Sequence, residues 1–143
     1  MAQHTADHHQ VTTAATEMIL LSEVSLPAVN AELRYTTEDP FAVQMLLSVD
    51  QNPAISWVFG RELLIAGVRM PAGIGDVQVY PTHDGVIIEL RSGSAGAKLL
   101  AHIPDIQEFL DQTLELVQLG TEMDHYSLDL ELSSIPVPDS FEA

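Results

Sequence analysis

Histidine and carboxylate side chains are the groups in this sequence best suited to acid–base or metal chemistry. There are 6 histidines and 21 Asp or Glu residues, enough for a general acid–base pair or a metal site. Their spacing disfavours both, because no His-x-x-x-His or His-x-Glu pair falls on a predicted element. Three histidines are isolated along the chain (His83, His102 and His125), and three lie near its start, where nothing fixes their geometry (His4, His8 and His9). We therefore predict that this protein is not an enzyme and has no catalytic residue, no metal and no cofactor.

Two glycine-rich stretches have the composition of catalytic or phosphate-binding loops without their spacing. A serine nucleophile would need a Gly-x-Ser-x-Gly elbow, which Gly93-Ser94-Ala95-Gly96 does not provide. No Gly-Lys-Ser or Gly-Lys-Thr follows that stretch, so it does not match a P-loop either. The second stretch, Gly73-Ile74-Gly75-Asp76, is followed by a strand pattern and lacks the helix N-terminus that a pyrophosphate needs. Both stretches are predicted to be turns.

Charge is the most informative property of the composition. The chain has 5 Lys or Arg against 21 Asp or Glu, a net charge of −16. Phosphate groups are held by Lys and Arg, so this composition disfavours binding to nucleic acid or to an anionic membrane surface. Arg34 and Arg61 stand out because basic residues are scarce. Each lies near a glutamate (Glu32 and Glu62) and is interpreted either as part of an ion pair or as a contact to an acidic partner.

Two absences bear on the cellular location. The chain has no cysteine, which excludes disulfides and fits a reducing compartment. It also has no signal peptide and no apolar run approaching the roughly 18 residues that span a bilayer. We therefore expect a cytoplasmic protein.

The predicted elements are organised around the stretch Trp57–Pro81. Apolar residues alternate over 55–59, which predicts a half-buried strand. Arg61–Ala66 are good helix formers, and Gly67 stands where a helix C-terminus favours a left-handed residue. A Gly/Pro loop then leads to a second strand over 77–80. Two strands joined by a short helix are therefore predicted here.

Five further segments are predicted to be strands, and Phe41–Val49 is the clearest amphipathic one. The others are Met18–Ser25, Val29–Tyr35, Val86–Arg91 and Lys98–Ile103. Turn signals separate them, including Asp84-Gly85, which suits a primed hairpin turn. About seven antiparallel strands are therefore predicted.

An amphipathic helix is predicted to begin at Pro104, where a missing N–H donor costs nothing, and to end at Gly120. One face is apolar, and another is acidic: Glu108, Asp111 and Glu115. The acidic face is interpreted as solvated or as a partner-binding surface. Together with the strands, this helix predicts an α+β fold.

The C-terminal part of the sequence is ambiguous over Tyr126–Ile135. Leu128, Leu130 and Leu132 alternate as in a strand, but Leu128, Leu132 and Ile135 also suit one face of a helix, and we favour a short helix. Residues 1–16 and 136–143 are predicted to be flexible tails that flank a single domain over residues 17–135.

An ordered set of short motifs runs through the chain. The central stretch contains Trp57-Val58-Phe59, Arg61-Glu62-Leu63-Leu64 and Pro71-x-Gly73-x-Gly75-Asp76-Val77. Upstream stand Ser25-Leu26-Pro27, Leu33-Arg34-Tyr35 and Asp39-Pro40-Phe41-Ala42-Val43, and downstream stand Phe109-Leu110 and Asp129-x-Glu131-Leu132. In this order the motifs resemble the SsgA-like proteins, which act in sporulation-specific cell division of actinomycetes. The resemblance covers roughly residues 18–135.

The resemblance implies a fold similar to that of the whirly single-strand nucleic-acid-binding proteins. Antiparallel β-sheets are packed with a short internal helix and C-terminal helices, and the chains associate as a homotrimer. It implies a non-enzymatic role at the cell septum during sporulation. There the protein would mark septum sites and recruit or stabilise the tubulin-like FtsZ ring by direct contact, together with an SsgA-type partner. It would reach the membrane only through other proteins.

The partner-binding surface is the least determined part of this expectation. FtsZ proteins are usually acidic too, so attraction between net charges cannot drive the contact. We expect an exposed apolar patch with arginines at its rim: Arg34, Arg61, Arg69 and Arg91. Two alternatives stay open. One is a role with septal peptidoglycan or spore-wall partners, and the other is nucleic-acid binding of the whirly type, which the scarcity of basic residues opposes.

Overall fold

In the part of the chain that the structure describes, the alternating and helical patterns of the sequence form seven strands and two helices. The structure, a computed structural model, describes residues 9–22, 24–49 and 53–125. The strands are β1 (Val11–Leu20), β2 (Ala28–Thr36), β3 (Ala42–Ser48), β4 (Ile55–Gly60), β5 (Val77–Thr82), β6 (Gly85–Ser92) and β7 (Ala95–Ala101). Helix α1 (Arg61–Gly67) joins β4 to β5, helix α2 (Ile103–Leu116) follows β7, and residues 122–125 form a further helical turn. The predicted α+β class is confirmed.

All seven strands belong to one antiparallel sheet, in the order β4-β3-β2-β1-β7-β6-β5. Strands β1 and β7 join its two halves through only two residue pairs, Ile19–Leu100 and Leu20–Leu99. The sheet curls, so that Trp57 of β4 and Leu90 of β6 line the same groove on the concave side. The packed β-layers implied by the family resemblance are thus two halves of one curled sheet.

The concave side of the sheet holds the core. On β2 the inward residues Val29, Leu33 and Tyr35 are at most 2% exposed. Helix α2 lies across this side, and its buried residues are Ile106, Phe109, Leu110 and Thr113. Complete burial of an apolar side chain of this size contributes about 1.5–3 kcal/mol. The helix therefore covers part of the concave side, and among the described residues no segment covers the convex side of the sheet.

The first strand begins earlier than the sequence predicted. Residues 11–16 were assigned to a flexible tail, but β1 starts at Val11 and pairs with β2 from Val11–Thr36 to Ile19–Ala28. The reason is that the inward positions near its start carry small residues, so apolar alternation is weak there. These residues are held in the strand by backbone pairing with β2. Because β2 lies further along the chain, the local sequence around residues 11–16 gives no sign of this pairing.

The boundaries of two other elements also differ from the prediction. Strand β7 begins at Ala95, directly after the hairpin loop, and not at Lys98. Helix α2 ends at Leu116, and Gly120 lies in the following turn with a φ of 92°. The helix favoured over Tyr126–Ile135 and the tails at 1–8 and 136–143 lie outside the described residues.

Gly67 ends α1 for a reason of packing. The sequence suggested a left-handed cap, but its φ is not positive, and a Cβ at this position would lie 2.2 Å from Val79 Cγ1. Helix α1 can therefore approach β5 only because residue 67 has no side chain. This close approach fixes α1 against the sheet.

Candidate protein-contact surface

The convex side of strands β1 to β4 is an uncovered sheet face in the described part of the chain. Alternate residues of β1 point outward and are exposed, from Val11 to Ile19, while the side chains between them face α2. Thr12 and Thr16, for example, donate hydrogen bonds to Gln112 Oε1 (2.6 Å) and Asp105 Oδ2 (2.7 Å) of that helix. Both helices thus lie on the other side, and no described segment covers the convex face.

Arg34 lies near the middle of this face. The sheet register places it beside Thr13 on β1 and Gln44 on β3, with Val58 of β4 next in the same row. A shallow depression of about 260 Å³ lies here, and we call it the Arg34 face. Its lining residues are Arg34, Thr36, Asp39, Ala42, Gln44 and Val58. Val58 is 61% exposed. The row combines one cation, one amide and one exposed apolar side chain.

The charge of Arg34 is not balanced locally. Glu32 points to the same convex side, and Asp39 lines the same depression. Among the described residues, however, no carboxylate lies within ion-pair distance of the Arg34 guanidinium. Arg34 is half-buried, and a guanidinium without a counter-ion can donate to a carboxylate or carbonyl of a partner.

Arg61 is not a surface residue, and this corrects the expectation that it lies at the rim of a patch. It is 1% exposed. Its Nη1 donates to the carbonyl oxygens of Thr113 (3.1 Å) and Val117 (2.8 Å), and its Nη2 forms an ion pair with Glu122 Oε2 at 2.8 Å. The guanidinium also lies 5.0 Å from the centre of the Tyr35 ring. Arg61 therefore ties α1 to the end of α2 and to residue 122.

The ion pair shapes the acid–base properties of its surroundings. Burial alone would raise the pKa of Glu122, but hydrogen bonds from Arg61, its own N–H and the Gly120 N–H, with the Arg61 charge, hold that pKa below 4.5. Burial raises the pKa of Tyr35 to about 12, although the Arg61 charge opposes the rise. Tyr35 is accordingly a neutral donor, and its hydroxyl donates to the Pro40 carbonyl at 3.0 Å. This cluster is structural.

The two remaining arginines lie apart from Arg34. Arg69 is exposed just after the end of α1. Arg91 lies on β6 in the other half of the sheet, 58% exposed, and pairs with Glu89 at 2.8 Å. The four predicted arginines are therefore not brought together into one site, and Arg34 is the one that lies on the uncovered convex face without an ion-pair partner in the described residues.

A second apolar region lies on the concave side, at the open gap between the two halves of the sheet. This β4 groove, of about 350 Å³, is lined by Leu47, Ile55 and Trp57 on one side and by Leu90 and Ala97 on the other. Ile55 is 59% exposed. The exposed apolar surface of the described chain therefore includes a groove that sequence reasoning did not identify.

Other kinds of site were also sought. Within residues 9–22, 24–49 and 53–125, no three His, Asp or Glu side chains come together as metal ligands. His83, His102 and His125 are exposed and lie on different elements. No helix among the described residues is long and apolar enough to cross a membrane.

Glu122 is the residue of this region that sequence reasoning missed. Arg61 was considered with its neighbour Glu62, but Glu62 is exposed and the ion-pair partner lies 61 positions away in sequence. The one available signal was the family motif around Arg61, which marks the position without naming its partner.

The fold and these surfaces define a small α+β protein in which short helices close a curled antiparallel sheet. A family model described as Streptomyces sporulation and cell division protein SsgA matches residues 29–122. The chain belongs to this SsgA family of sporulation and cell division proteins.

Individual relatives agree with this assignment. The sporulation-specific cell division protein SsgB of Streptomyces coelicolor is 42% identical over 122 residues, covering 82% of this chain and 88% of that protein. SsgB of Thermobifida fusca is 35% identical over 121 residues, covering 82% and 87%. The predicted resemblance to the SsgA-like proteins is confirmed, and SsgB proteins are among the relatives of this chain.

Solved structures agree as well. The crystal structure of an SsgA-like sporulation-specific cell division protein from Thermobifida fusca superposes with a TM-score of 0.81 at 32% identity, covering 86% of this chain and 93% of that one. A second structure comes from work on SsgB mutations that correlate to longitudinal cell division during sporulation of Streptomyces coelicolor. It superposes with a TM-score of 0.77 at 35% identity and covers 82% and 97%. The curled sheet is thus the fold of the family.

Proposed function

We propose that this protein acts without catalysis at sporulation septa, where it marks the division site and recruits or stabilises FtsZ filaments by direct contact. The observation that carries the proposal is the relationship to SsgB, a sporulation-specific cell division protein, over more than four fifths of the chain. The location at the septum and the cytoplasmic side of the membrane belong to the same proposal.

The Arg34 face is the contact surface that best supports such a role. The protein carries a net charge of −16, so long-range attraction cannot bring it to an acidic filament. A contact therefore has to rest on local complementarity. The Arg34 face offers a guanidinium with no ion-pair partner among the described residues, beside an exposed Val58, and a carboxylate or carbonyl of the filament would pair with it.

Association of the protein as a homotrimer would strengthen this contact. Each chain presents one copy of the Arg34 face, and a filament repeats the same surface at every subunit. Several weak contacts made at once raise the overall affinity without any new interaction. The proposed trimer can be tested separately by sedimentation equilibrium of the purified chain.

Sedimentation with FtsZ from the same organism and GTP tests the contact. The protein should pellet with polymer and increase its amount or lifetime. Arg34→Ala should weaken co-sedimentation about tenfold or more, the loss expected for one charge-assisted hydrogen bond. Lys98→Ala removes the same charge from the other half of the sheet and serves as the matched control. Equal binding by both variants would contradict the Arg34 face, and no co-sedimentation of the folded native protein would contradict direct recruitment.

Two further measurements address the alternatives. A pull-down that recovers septal peptidoglycan enzymes but no FtsZ would favour the role with cell-wall partners. A mobility shift of single-stranded DNA in about 50 mM salt, where electrostatic binding is strong, would favour nucleic-acid binding. We expect neither result.

A further inference from the structure

The charged residues of the described strands all lie on the convex side of the sheet. Three are acidic and three are basic: Glu17, Glu32, Glu89, Arg34, Arg91 and Lys98. Strands β3, β4 and β5 carry no charged residue. The residues outside these strands therefore carry the whole net charge of −16, and the strand residues of the convex side sum to zero.

This neutrality matters for association between copies of the chain. Two copies that each carry a charge of −16 repel one another. The repulsion is weakest when the two neutral surfaces face each other and the acidic residues of both copies stay apart. Depletion of charge is also typical of the centre of protein interfaces. The convex side is therefore the surface through which a second copy can approach.

The part of this side that β1 to β3 form is complementary to itself. Glu32 and Arg34 lie two residues apart on β2, and their neighbours in β1 and β3 are uncharged. Among the described residues neither has an ion-pair partner, whereas Glu89 and Arg91, at the same spacing on β6, pair at 2.8 Å. The carboxylate and the guanidinium on β2 are thus both available to a second molecule.

The order of these two charges selects one arrangement of the copies. A two-fold axis that runs across the strands beside Leu33 places each strand over its own counterpart in the antiparallel direction. Arg34 of each copy then lies opposite Glu32 of the other. An axis along the strands would instead place Arg34 opposite Arg34. The favourable arrangement is isologous, so it forms the same ion pair twice.

We propose that two copies of this protein associate through the convex side of β1 to β3, with Arg34 of each copy paired with Glu32 of the other. Because both surfaces are convex, the contact is a band about 14 Å by 30 Å, or roughly 400 Å² on each copy. Stable complexes bury about 800 Å² on each partner, so this association is weak and reversible. Its two-fold symmetry distinguishes it from the cyclic contact of the proposed trimer.

The association has a consequence for the contact with FtsZ, and this consequence alone rests on the proposed function. An Arg34 guanidinium that is paired with a second copy cannot bind a filament. The filament and the second copy therefore compete for the same face, and self-association limits recruitment where filaments are absent.

Exchange of the two charges tests the self-association in the absence of FtsZ. It is measured by sedimentation velocity over a series of protein concentrations, as a doubling of the mass found at the lowest concentration. Arg34→Glu and Glu32→Arg should each weaken it about tenfold or more, because like charges then face each other. A mixture of the two variants places acidic positions opposite basic ones and should associate more tightly than either alone. The double variant should regain the native behaviour.

Variants of β6 provide the matched control. Arg91→Glu and Glu89→Arg change the net charge by the same amounts in the other half of the sheet, and should change the self-association less than about twofold. Far-UV circular dichroism checks that every variant is folded. The proposal is overturned if the native protein shows no doubling of mass, if the mixed variants associate no better than each alone, or if the β6 variants have equal effects. None of these measurements contains FtsZ, so their failure would leave direct recruitment intact, and failed co-sedimentation would leave the self-association intact.

Discussion

Replacing Glu122 by glutamine tests whether the buried ion pair holds the end of α2 against α1. Gln keeps the size and one acceptor of the side chain but removes the charge that balances Arg61. The guanidinium would keep its bonds to the carbonyl groups of Thr113 and Val117, at 3.1 and 2.8 Å, and its contact with the Tyr35 ring. It would, however, stay 1% exposed with no counter-charge.

The size of the effect follows from this geometry. Removing one partner of a buried ion pair costs about 3–5 kcal/mol, because the other charge is left without compensation. The remaining bonds of Arg61 place the expected loss near the lower limit, at about 3 kcal/mol. The Arg61 Nε has no hydrogen-bond partner among the described residues, so it cannot compensate for the loss of the carboxylate. For a chain of this length the melting temperature should fall by roughly 6–12 °C.

Urea unfolding followed by Trp57 fluorescence measures this loss, and the exposed pair of Glu89 and Arg91 supplies the control. Glu89→Gln should cost less than about 1 kcal/mol, because Arg91 is 58% exposed and solvent screens the pair. Combining Glu122→Gln with Arg61→Met should cost about 2 kcal/mol less than the sum of the two single changes. A Glu122→Gln variant within about 0.5 kcal/mol of the native protein would refute the reasoning.

Three further predictions follow from the same structure. The pKa of Glu122 is held below 4.5 in the folded state, so the stability that its charge contributes is present above pH 4.5 and is lost as the pH falls below it. The difference in unfolding free energy between the native protein and Glu122→Gln should therefore shrink at low pH, and a difference that stays constant with pH would contradict this. Burial raises the pKa of Tyr35 to about 12, so an absorbance titration of the tyrosines should contain one step at high pH that Tyr35→Phe abolishes. The contribution of the neutral Tyr35 hydroxyl to the unfolding free energy should decline as the pH rises above 10. Gly67→Ala should lower the unfolding free energy by about 1–3 kcal/mol through its clash with Val79, whereas Gly75→Ala, with no atom within 4 Å, should show no comparable loss in thermal melting.

The strands were predictable because their signal is local. Side chains alternate across a strand with a period of two, so β3 could be recognised from Val43, Met45 and Leu47 without knowing what they pack against. The helix α2 was recognisable in the same way from its apolar face. The start of β1 was not, because its order comes from pairing with β2 and not from its own composition.

The candidate surface was predictable only as a list of rare residues. Charge composition singled out the arginines, and the family motifs singled out the segments that carry them. Neither could tell an internal arginine from an external one. On β2 the side chains alternate between the two sides of the sheet, and Arg34 falls on the outward side. Arg61, at the start of α1, points into the core.

The sequence by itself determined the α+β class, the number of strands, the acidic character and the family, because periodicity, composition and ordered motifs are properties of the chain read in order. Only the tertiary structure decided that Arg61 binds Glu122, that Gly67 lets α1 pack against Val79, and that β4 is an edge strand of the described sheet. These features depend on residues that are distant in sequence and are brought together by the curl of the sheet. Contacts of this kind have no period and leave no local pattern.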